Sequence, residues 1–262
     1  MLQKEGVKNI LTSAYALMRS RAAEARVMGG DRTWISSFFL DSGAYSAWTQ
    51  GVQIDINEYA EFIIKHKSNI NVYAGLDAIG NYKETLRRQT AMEQMGLNPL
   101  STFHFSTNLS KVPYGLLREQ LKERKHIALG GMVGAPKPLL LNHLKKCFSI
   151  IGDYWPVKVH GFGMSNFAFL KVFPFYSVDA TTWVMGQKAG IMYRFRDGTM
   201  EQTNYMKADK MIEFGSRSFI DNKRVNEKNY RNRNSWNIKQ WLAAEKYLTD
   251  LWSGKGIKWA GV

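Results

Sequence analysis

Short apolar runs alternate along this chain with polar stretches in which apolar residues return every three or four positions. Short runs rich in β-branched and aromatic residues are typical of strands, and the wider spacing is typical of helices that bury one face. Strands that alternate with helices favour a parallel sheet covered by helices. The strand-like runs are NILTSAYA, SSFFLDSG, NINVYAGLD, LSTFHFS, HIALGGMVG, VKVHGFGMS and YSVDATTWV.

Four stretches between these runs have the helical spacing. A further strand candidate, SRSFID, would bring the number of strands to eight, so we expect a TIM-like (β/α)8 barrel rather than an open sheet. The helix-like stretches are INEYAEFIIKHK, NYKETLRRQTAMEQMG, GLLREQLKERK and KPLLLNHLKKCFSIIG.

The length and composition of the chain suit one such domain. Its 262 residues, of which 45% are hydrophobic and 13% aromatic, can bury a sizeable core. Neither an internal repeat nor a linker rich in Pro, Gly or Ser divides the sequence, which favours a single domain over residues 1–262. Within it we expect a basic region at about 190–240, beginning with a hairpin in GIMYRFRDGTMEQTNYMK that turns at Asp-Gly.

Cysteine usage and apolar run length exclude several classes of protein. The single cysteine, Cys147, excludes a disulfide within the chain and a zinc site rich in cysteine, and its KKCFS setting predicts helix packing. Apolar stretches all fall short of the roughly 20 residues that span a bilayer, and MLQKEGVKN at the start lacks the apolar core of a signal peptide. We therefore expect a cytoplasmic protein without a membrane partner.

The net charge favours a polyanionic partner. The chain carries a formal charge of +14, and cations that displace condensed counterions from a phosphate backbone gain affinity from their release. Nucleic acid is the leading candidate, while charge that serves solubility alone and an anionic membrane surface are the alternatives.

Three acids lie in or at the end of strand-like runs. Asp41 ends SSFFLD, Asp77 ends NVYAGLD, and Asp179 stands inside YSVDATTWV. A buried carboxylate is costly unless it is paired, hydrogen-bonded or used, and barrel active sites lie at the carboxyl ends of the strands. The same residue types also serve as turn formers and helix caps. Other residues predicted at strand ends are His104, Gly130, Gly131, His160, Gly161 and Gly163.

Five motifs in order resemble the tRNA-guanine transglycosylase superfamily. They are DSGAYSAW, GLDAIGN, ALGGMVG, HGFGMS and VDATTW, between about residues 38 and 186. Members of the superfamily carry DSGGFQ or DSGGYQ, an Asp-ended strand, GGLAVGE, an MGVG-type strand and an FDCV-type strand in that order. The small size, the DSGAYS variant and the missing zinc segment most resemble the compact DpdA-type branch of phages and bacteria, which inserts 7-deazaguanines into DNA.

This resemblance implies a chemistry for the three acids. Base exchange breaks an N-glycosidic bond, and two carboxylates can divide that work. Asp179 matches the nucleophile that attacks C1′, Asp41 the general acid/base, and Asp77 the acid that accepts hydrogen bonds from the N–H edge of the base. The partners implied are DNA and a free base such as 7-cyano-7-deazaguanine, with no cofactor, in the cytoplasm of the host if the chain is phage-encoded.

The remaining base-binding positions also follow from the match. Gly130 and Gly131 would offer backbone N–H groups to the base, and Tyr45 matches an aromatic residue that stacks on it. His104 stands where tRNA enzymes carry a glutamine, and His160 stands where a methionine is frequent, so both depart from the family pattern. The predicted base-binding set is Asp77, Tyr45, Ser42, His104, Gly130, Gly131, His160 and Gly161.

A second departure concerns the polymer. The tRNA enzymes carry a zinc site of three cysteines and a histidine after the nucleophile strand, and this chain has no cysteine there. Its place is taken by DNKRVNEKNYRNRNSWN, which we interpret as a segment that follows phosphates, with a solvated loop as the alternative. Tyr230 and Trp236 could stack there on a base. The predicted phosphate contacts are Lys223, Arg224, Lys228, Arg231, Arg233 and Lys239.

The sequence therefore predicts a transglycosylase that exchanges guanine in DNA. Three other hypotheses stay open at this point: a tRNA-guanine transglycosylase, a non-catalytic barrel subunit that binds nucleic acid, and a barrel enzyme that holds a divalent metal on the three acids. The sequence gives no indication of an oligomeric state.

Overall fold

The computed structural model describes residues 1–185, 189–204 and 227–261, with side chains of 227–230 outside the description. The chain divides into two compact units, and each is described by itself: a first unit, Lys8–Phe162, and a second unit, Met1–Val7 with Gly163–Val262. In the described residues helices alternate with parallel strands, so the expected α/β class is confirmed. That the whole chain forms one domain stays a prediction.

The first unit contains six parallel strands in chain order. The first three strands pair in sequence, and the last three do so as well. A parallel bridge between Ala74 and Leu100 links the two groups. All six carboxyl ends therefore point in the same direction. The strands are β1 (Asn9–Ser13), β2 (Ser37–Asp41), β3 (Val72–Tyr73), β4 (Ser101–His104), β5 (His126–Gly130) and β6 (Lys158–Gly161).

Helices fill the connections between these strands, and each of the four helix-like stretches of the sequence forms one. Several begin at a side chain that caps the first turn: Ser20, Asp55 and Asn81 each accept a backbone N–H bond there. The helices are α1 (Ala14–Met18), α2 (Arg21–Met28), α3 (Ala44–Thr49), α4 (Ile56–Lys65), α5 (Tyr82–Gln94), α6 (Tyr114–Glu123) and α7 (Lys137–Gly152).

Alternation along β2 divides the core of the first unit into two clusters. Phe38 and Leu40 pack in one cluster with residues of α4 and α5, whereas Phe39 packs in the other with Leu100 and Ala128. The ring of Phe39 also lies 4.6 Å from that of His160 on β6, measured between centroids. In a flat sheet β2 and β6 would be about 19 Å apart, at roughly 4.8 Å per strand. The sheet is therefore strongly curved.

Helix packing accounts for the cysteine. Cys147 is completely buried on α7, as the KKCFS setting predicted. Its Sγ lies 3.4 Å from Nε2 of His143, and Nδ1 of that histidine lies 3.0 Å from the hydroxyl oxygen of Tyr114. Burial raises the pKa of the Cys147 thiol and lowers the pKa of His143 to about 4, so both groups are neutral at pH 7. This buried cluster holds α6 against α7.

The second unit contains a hairpin and a long helix. Its other elements are short: α8 (Phe167–Leu170), β7 (Ser177–Val178) and a 3₁₀ turn at Thr182–Val184. The expected hairpin forms from β8 (Ile191–Arg196) and β9 (Thr199–Asn204), which pair antiparallel. Asp197 and Gly198 have φ values of 51° and 68°, as a type I′ turn requires.

Helix α9 (Glu227–Gly254) follows, and its side chains bind the edge of β8. Asn237 Oδ1 accepts a bond of 2.9 Å from Tyr193 N–H, and its Nδ2 donates one of 2.9 Å to the carbonyl of Ile191. Gln240 Oε1 accepts one of 2.8 Å from Phe195 N–H. The loop interpretation of DNKRVNEKNYRNRNSWN is therefore wrong from Glu227 onward, because these contacts stabilise a helix.

The last two strand candidates of the sequence, YSVDATTWV and SRSFID, are not found as expected among the described residues. YSVDATTWV was expected to form one strand, but only Ser177–Val178 is a strand, and the 3₁₀ turn takes up the rest of the apolar run. The candidate strand SRSFID lies outside the described residues. Within the described residues, none of the helices combines the length and the apolar character that a bilayer crossing needs.

Candidate functional site

The carboxyl edge of the curved sheet collects several of the predicted site residues of the first unit. Asp41 is the last residue of β2, His104 the last of β4 and Gly130 the last of β5, and Asp77 follows β3 in its loop. Since neighbouring parallel strands end at the same edge, these residues lie on one side of the unit. Within this group His104 contacts both Asp77 and Gly130.

Asp77 and His104 form a hydrogen-bonded pair. The distance between Nε2 of His104 and Oδ2 of Asp77 is 3.1 Å, and the side chains are 22% and 15% exposed. Burial disfavours the imidazolium, but the charge of Asp77 and the hydrogen bond outweigh it, so the pKa of His104 is raised. The other oxygen of Asp77, Oδ1, is buried and has no hydrogen-bond partner in the described part of the chain.

The glycine that ends β5 allows the ring of His104 to lie where it does. A Cβ at Gly130 would stand 2.8 Å from Cγ2 of Thr102 and 3.2 Å from Cδ2 of His104. Gly131 has a φ of 71°, in the left-handed region that favours glycine. The two glycines were predicted to leave room for a base, and the space above Gly130 is occupied by the His104 ring.

The DSG turn after β2 fixes the carboxylate of Asp41. Oδ2 of Asp41 accepts a bond of 3.1 Å from Gly43 N–H, and Ser42 is buried beside it. Gly43 has a φ of 79°, and a Cβ there would stand 2.2 Å from Oγ of Ser13 and 2.6 Å from Cβ of Tyr15. Only glycine fits this turn, which orients the half-buried carboxylate of Asp41.

The buried phenol of Tyr59 lies close enough to Asp41 and Asp77 for their charges to affect its pKa. The hydroxyl of Tyr59, on α4, donates a bond of 2.8 Å to the carbonyl of Ala74. Burial first, and then the charges of Asp41 and Asp77, raise the pKa of Tyr59 well above its usual value. The phenol is neutral and supports the backbone between β3 and Asp77. The sequence signalled it only as one aromatic residue on the apolar face of INEYAEFIIK.

An exposed aromatic pair follows the DSG turn on α3. Tyr45 is 55% exposed and Trp48 is 57% exposed, and their ring centroids lie 6.0 Å apart. Tyr45 is thus a surface residue and not a core residue. Trp48 was not singled out from the sequence, although its spacing of three from Tyr45 in AYSAW places both rings on one helix face. Exposed aromatic rings of this kind can stack on bases.

His160 and Gly161 occupy the end of β6 and lie in the interior. The ring of His160 is 4.6 Å from the ring of Phe39 and 4.6 Å from that of Phe162, and the residue is 2% exposed. Gly161 is also buried. His160 therefore packs below the sheet edge, among the aromatic residues of the core cluster.

Asp179 belongs to the second unit, where it follows β7. Its Oδ1 accepts a bond of 2.9 Å from the backbone N–H of Gly163, another residue singled out from the sequence. The side chain is half-buried, and Val178 beside it is 37% exposed. The expectation that this acid stands inside a strand is wrong, because β7 ends at Val178, one residue before it.

The predicted phosphate contacts divide into three groups. Lys223 and Arg224, and the side chains of Lys228 and Tyr230, lie outside the described residues. Arg233 is only 7% exposed, which makes it a poor phosphate contact, and Nε1 of Trp236 donates to the carbonyl of Tyr193. Arg231 and Lys239 are exposed on α9, and Lys239 lies 3.5 Å from a carboxylate oxygen of Glu5.

The described residues offer no cluster of metal ligands. Among them, no three side chains of His, Cys, Asp or Glu come together in a way that could hold a metal ion. The Cys147 and His143 contact resembles the start of a nucleophile–base pair, but its complete burial and the raised pKa of the thiol make it structural.

No protein-family model matches the chain, and a search of curated proteins finds no match to its sequence.

Proposed function

We propose that this protein is a nucleic-acid guanine transglycosylase that exchanges guanine in DNA for a 7-deazaguanine base. One observation carries the proposal: Asp41, His104 and Gly130 are the last residues of β2, β4 and β5, and Asp77 lies in the loop after β3, so four predicted site residues lie at one edge of successive parallel strands. Three of the five motifs, DSGAYSAW, GLDAIGN and ALGGMVG, thus lie at one edge of the sheet. This placement supports the resemblance, because residues that act on one substrate must lie close together.

We propose further that the fold is a (β/α)8 barrel. Six parallel strands in chain order, each followed by a helix, are what such a barrel contains. The contact between Phe39 on β2 and His160 on β6 supports this proposal, because it needs a strongly curved sheet and a closed barrel has such curvature.

The proposed reaction is a double displacement at C1′ of the target nucleoside. The Asp179 carboxylate attacks C1′, the bond from C1′ to the guanine nitrogen breaks, and Asp41 gives a proton to the leaving base. The entering 7-deazaguanine then gives its ring proton to Asp41, and its nitrogen attacks C1′ and releases Asp179. The two displacements retain the configuration at C1′ and need neither metal nor cofactor.

Asp77 is proposed to recognise the base. Its buried Oδ1 is an acceptor that lacks a protein donor in the described residues, and an N–H of guanine or of a 7-deazaguanine would supply one. A site that hydrogen-bonds an N–H edge discriminates strongly against bases that lack it, because its buried group is then left unpaired.

DNA is proposed as the polymer because the chain is strongly basic and carries no cysteine after Asp179 for the zinc site of the tRNA enzymes. A duplex hides C1′ and the base edge, so the target nucleotide must leave the stack, at a cost that phosphate contacts help to offset. Tyr45 and Trp48 offer exposed rings that could stack on unpaired bases.

The direct test is mass spectrometry of nucleosides from DNA and from tRNA, after expression of the protein in cells supplied with 7-cyano-7-deazaguanine. A 7-deazaguanine nucleoside is expected in DNA with the native protein and not with Asp179→Asn. The same nucleoside in tRNA alone would favour the tRNA enzyme, and its absence from both polymers, together with retained DNA binding, would favour the non-catalytic barrel. As a matched control, Asp197→Asn changes an exposed acid at a turn position where Asn is favoured.

A further inference from the structure

The carboxylate of Asp77 is held at one oxygen only. Oδ2 accepts from His104, whereas Oδ1 is buried without a donor in the described part of the chain. The nearby cation does not fill this role: the Arg88 guanidinium bonds to the backbone carbonyl of Asp77 at 3.3 Å and to the carboxylate of Glu84 at 3.0 Å. Buried carboxylate oxygens are normally satisfied, so the open one indicates a missing donor.

The His104 ring packs against the glycine that ends β5. It rests against Gly130 of β5, where even a Cβ would meet Cδ2 at 3.2 Å and Nε2 at 3.3 Å. His104 is also among the residues that line a small cavity of about 20 Å³, together with Tyr82 of α5 and Gln120 of α6. Because Gly130 leaves room for the ring, Nε2 of His104 can reach Oδ2 of Asp77, and this bond restricts the orientation of the Asp77 carboxylate.

The charge around His104 comes mainly from Asp77. The groups around the pair include the Tyr82 phenol and the Arg88 guanidinium from α5, the Tyr59 phenol from α4, and Asp41 at the end of β2, which acts with Asp77 on Tyr59. Gly130 of β5 and Gln120 of α6 are uncharged. Arg88 shares the carboxylate of Glu84 with Arg87 and bonds to the backbone carbonyl of Asp77, not to its carboxylate. The charge of Asp77 is therefore the one that acts directly on the His104 imidazole.

We propose that His104 is a positioning and specificity residue, which binds Oδ2 of Asp77 and thereby leaves Oδ1 as the single acceptor for an N–H donor of a guanine-type base. The choice of ligand class rests on the proposed function, whereas the pairing of His104 with Asp77 does not. A glutamine amide can donate the same bond to Oδ2 but cannot titrate, so replacement of His104 by Gln separates positioning from charge.

Protonation of the pair is then linked to binding of the base. A base that donates a hydrogen bond to Oδ1 weakens the attraction between the Asp77 carboxylate and the His104 imidazolium, and it also shields the pair from solvent. Both effects disfavour the imidazolium and so lower the pKa of His104. By linkage, affinity for the base rises with pH through the titration of His104 in the native protein. In His104→Gln the affinity for the base should show no such step.

The first measurement follows the five histidines of the chain by NMR in the free protein. His104 should titrate above pH 6.5 in the native protein and well below it in Asp77→Asn, where only the burial of the imidazole remains. Identical titration of His104 in both proteins would overturn the pairing. This measurement needs no ligand and no variant of His104 itself.

The second measurement is calorimetric binding of guanine, 7-deazaguanine and purine, the last of which lacks the N–H donors of the other two on its six-membered ring. His104→Leu should weaken guanine and 7-deazaguanine about tenfold to a hundredfold, as expected for a lost hydrogen bond to a charged group, with little change for purine. His104→Gln should stay within a few-fold of the native protein. As a control, His66→Gln removes a histidine 2.8 Å from the Glu24 carboxylate, just after α4, and should change nothing.

The outcomes separate the two proposals. If guanine binds but His104→Leu binds it as tightly as the native protein, or if His104→Gln keeps the same pH dependence, the role of His104 is wrong and the proposed function stands. If none of the bases binds the native protein, the proposed function and the ligand class both fall, while the NMR titration still decides whether the pair exists.

Discussion

Asp41 and Asp77 differ in what holds their carboxylates. Asp41 accepts a bond from the backbone N–H of Gly43 and is half-buried, whereas Asp77 pairs with the titratable ring of His104. Two carboxylates in different surroundings can take different roles in one site. Asp41, held by one backbone N–H, is the carboxylate proposed to transfer the proton, and Asp77, paired with His104, is the one proposed to accept a bond from the base.

We expect Asp41→Asn and Asp77→Ala to affect different steps. Asp41→Asn keeps an oxygen that can accept from Gly43 N–H but cannot transfer a proton, so turnover should fall about a hundredfold or more with little loss of base affinity. Asp77→Ala should mainly weaken binding of the free base and relax discrimination among purines. Single-turnover exchange and calorimetry of the free base measure the two effects.

Asp153→Asn provides the control for both variants, since Asp153 is an exposed acid that pairs with Arg118. It should leave turnover and base affinity unchanged. Equal losses of turnover and of affinity in Asp41→Asn and Asp77→Ala would show that the two acids do not divide the work.

At the scale of single elements, the DSG turn is the most constrained part of the first unit. We expect Gly43→Ala to lower the free energy of unfolding by about 3 kcal/mol, because it adds a left-handed penalty of about 1–2 kcal/mol to steric overlap with Ser13 and Tyr15. Gly51→Ala is the matched variant, with a φ of 66° but nothing within 4 Å of the new Cβ. It should lose only about 1 kcal/mol.

Urea unfolding of the two glycine variants measures the difference. Equal losses would mean that the turn relaxes around the added methyl group and that the close approach of Ser13 is not a constraint. Such a relaxation would also release the Gly43 N–H that holds Asp41, so the Gly43→Ala variant should be checked for exchange activity at the same time.

Helix α9 offers a test of the polymer. Replacing Arg231 and Lys239 together by Gln removes two exposed cations, and if both contact phosphates the salt dependence of DNA binding should flatten by up to about two units. Lys246→Gln, two turns further along α9, is the control and should not change the slope. Binding of duplex DNA and tRNA across a series of salt concentrations gives the slopes.

An unchanged slope in the double variant on DNA would remove α9 from the DNA-binding surface. A native protein that prefers tRNA over DNA at every salt concentration would overturn the choice of polymer.

For the molecule as a whole, buried histidines predict a loss of stability in acid. His143 is completely buried and its pKa is lowered to about 4, and burial lowers the pKa of His126 in the same direction. A histidine whose pKa is lowered in the folded state contributes its full stabilisation at pH values above its pKa in the unfolded chain, near 6.5. That contribution is lost as the pH falls toward 4. His143 alone should remove up to about 3 kcal/mol over that range.

Urea unfolding at pH 7 and at pH 4.5 tests this expectation. His143→Phe should be less stable than the native protein at pH 7, because Tyr114 loses its partner, yet it should lose less on acidification. If native protein and variant lose the same free energy between the two pH values, protonation of His143 is not what destabilises the fold.

Periodicity in the sequence was sufficient to locate the six strands of the first unit and four of its helices, and with them the acids at the strand ends. It did not reveal contacts that depend on tertiary structure. The Asp77–His104 pair depends on the space that Gly130 leaves for the His104 ring. The pairing of Trp48 with Tyr45 was not recognised in the DSGAYSAW motif. Likewise α9 extends into an Arg- and Asn-rich stretch because Asn237 and Gln240 bind β8.

The contacts of α9 with β8 also affect the tendency of this protein to self-associate. A strand edge with open N–H and C=O groups is a template on which a strand from a second molecule can add, and such addition begins aggregation. Here the amide side chains of Asn237 and Gln240 take the N–H groups of Tyr193 and Phe195, and Asn237 also donates to the carbonyl of Ile191. These two side-chain amides thus occupy backbone groups of β8 that a strand from a second molecule would need, and they disfavour strand addition at this edge.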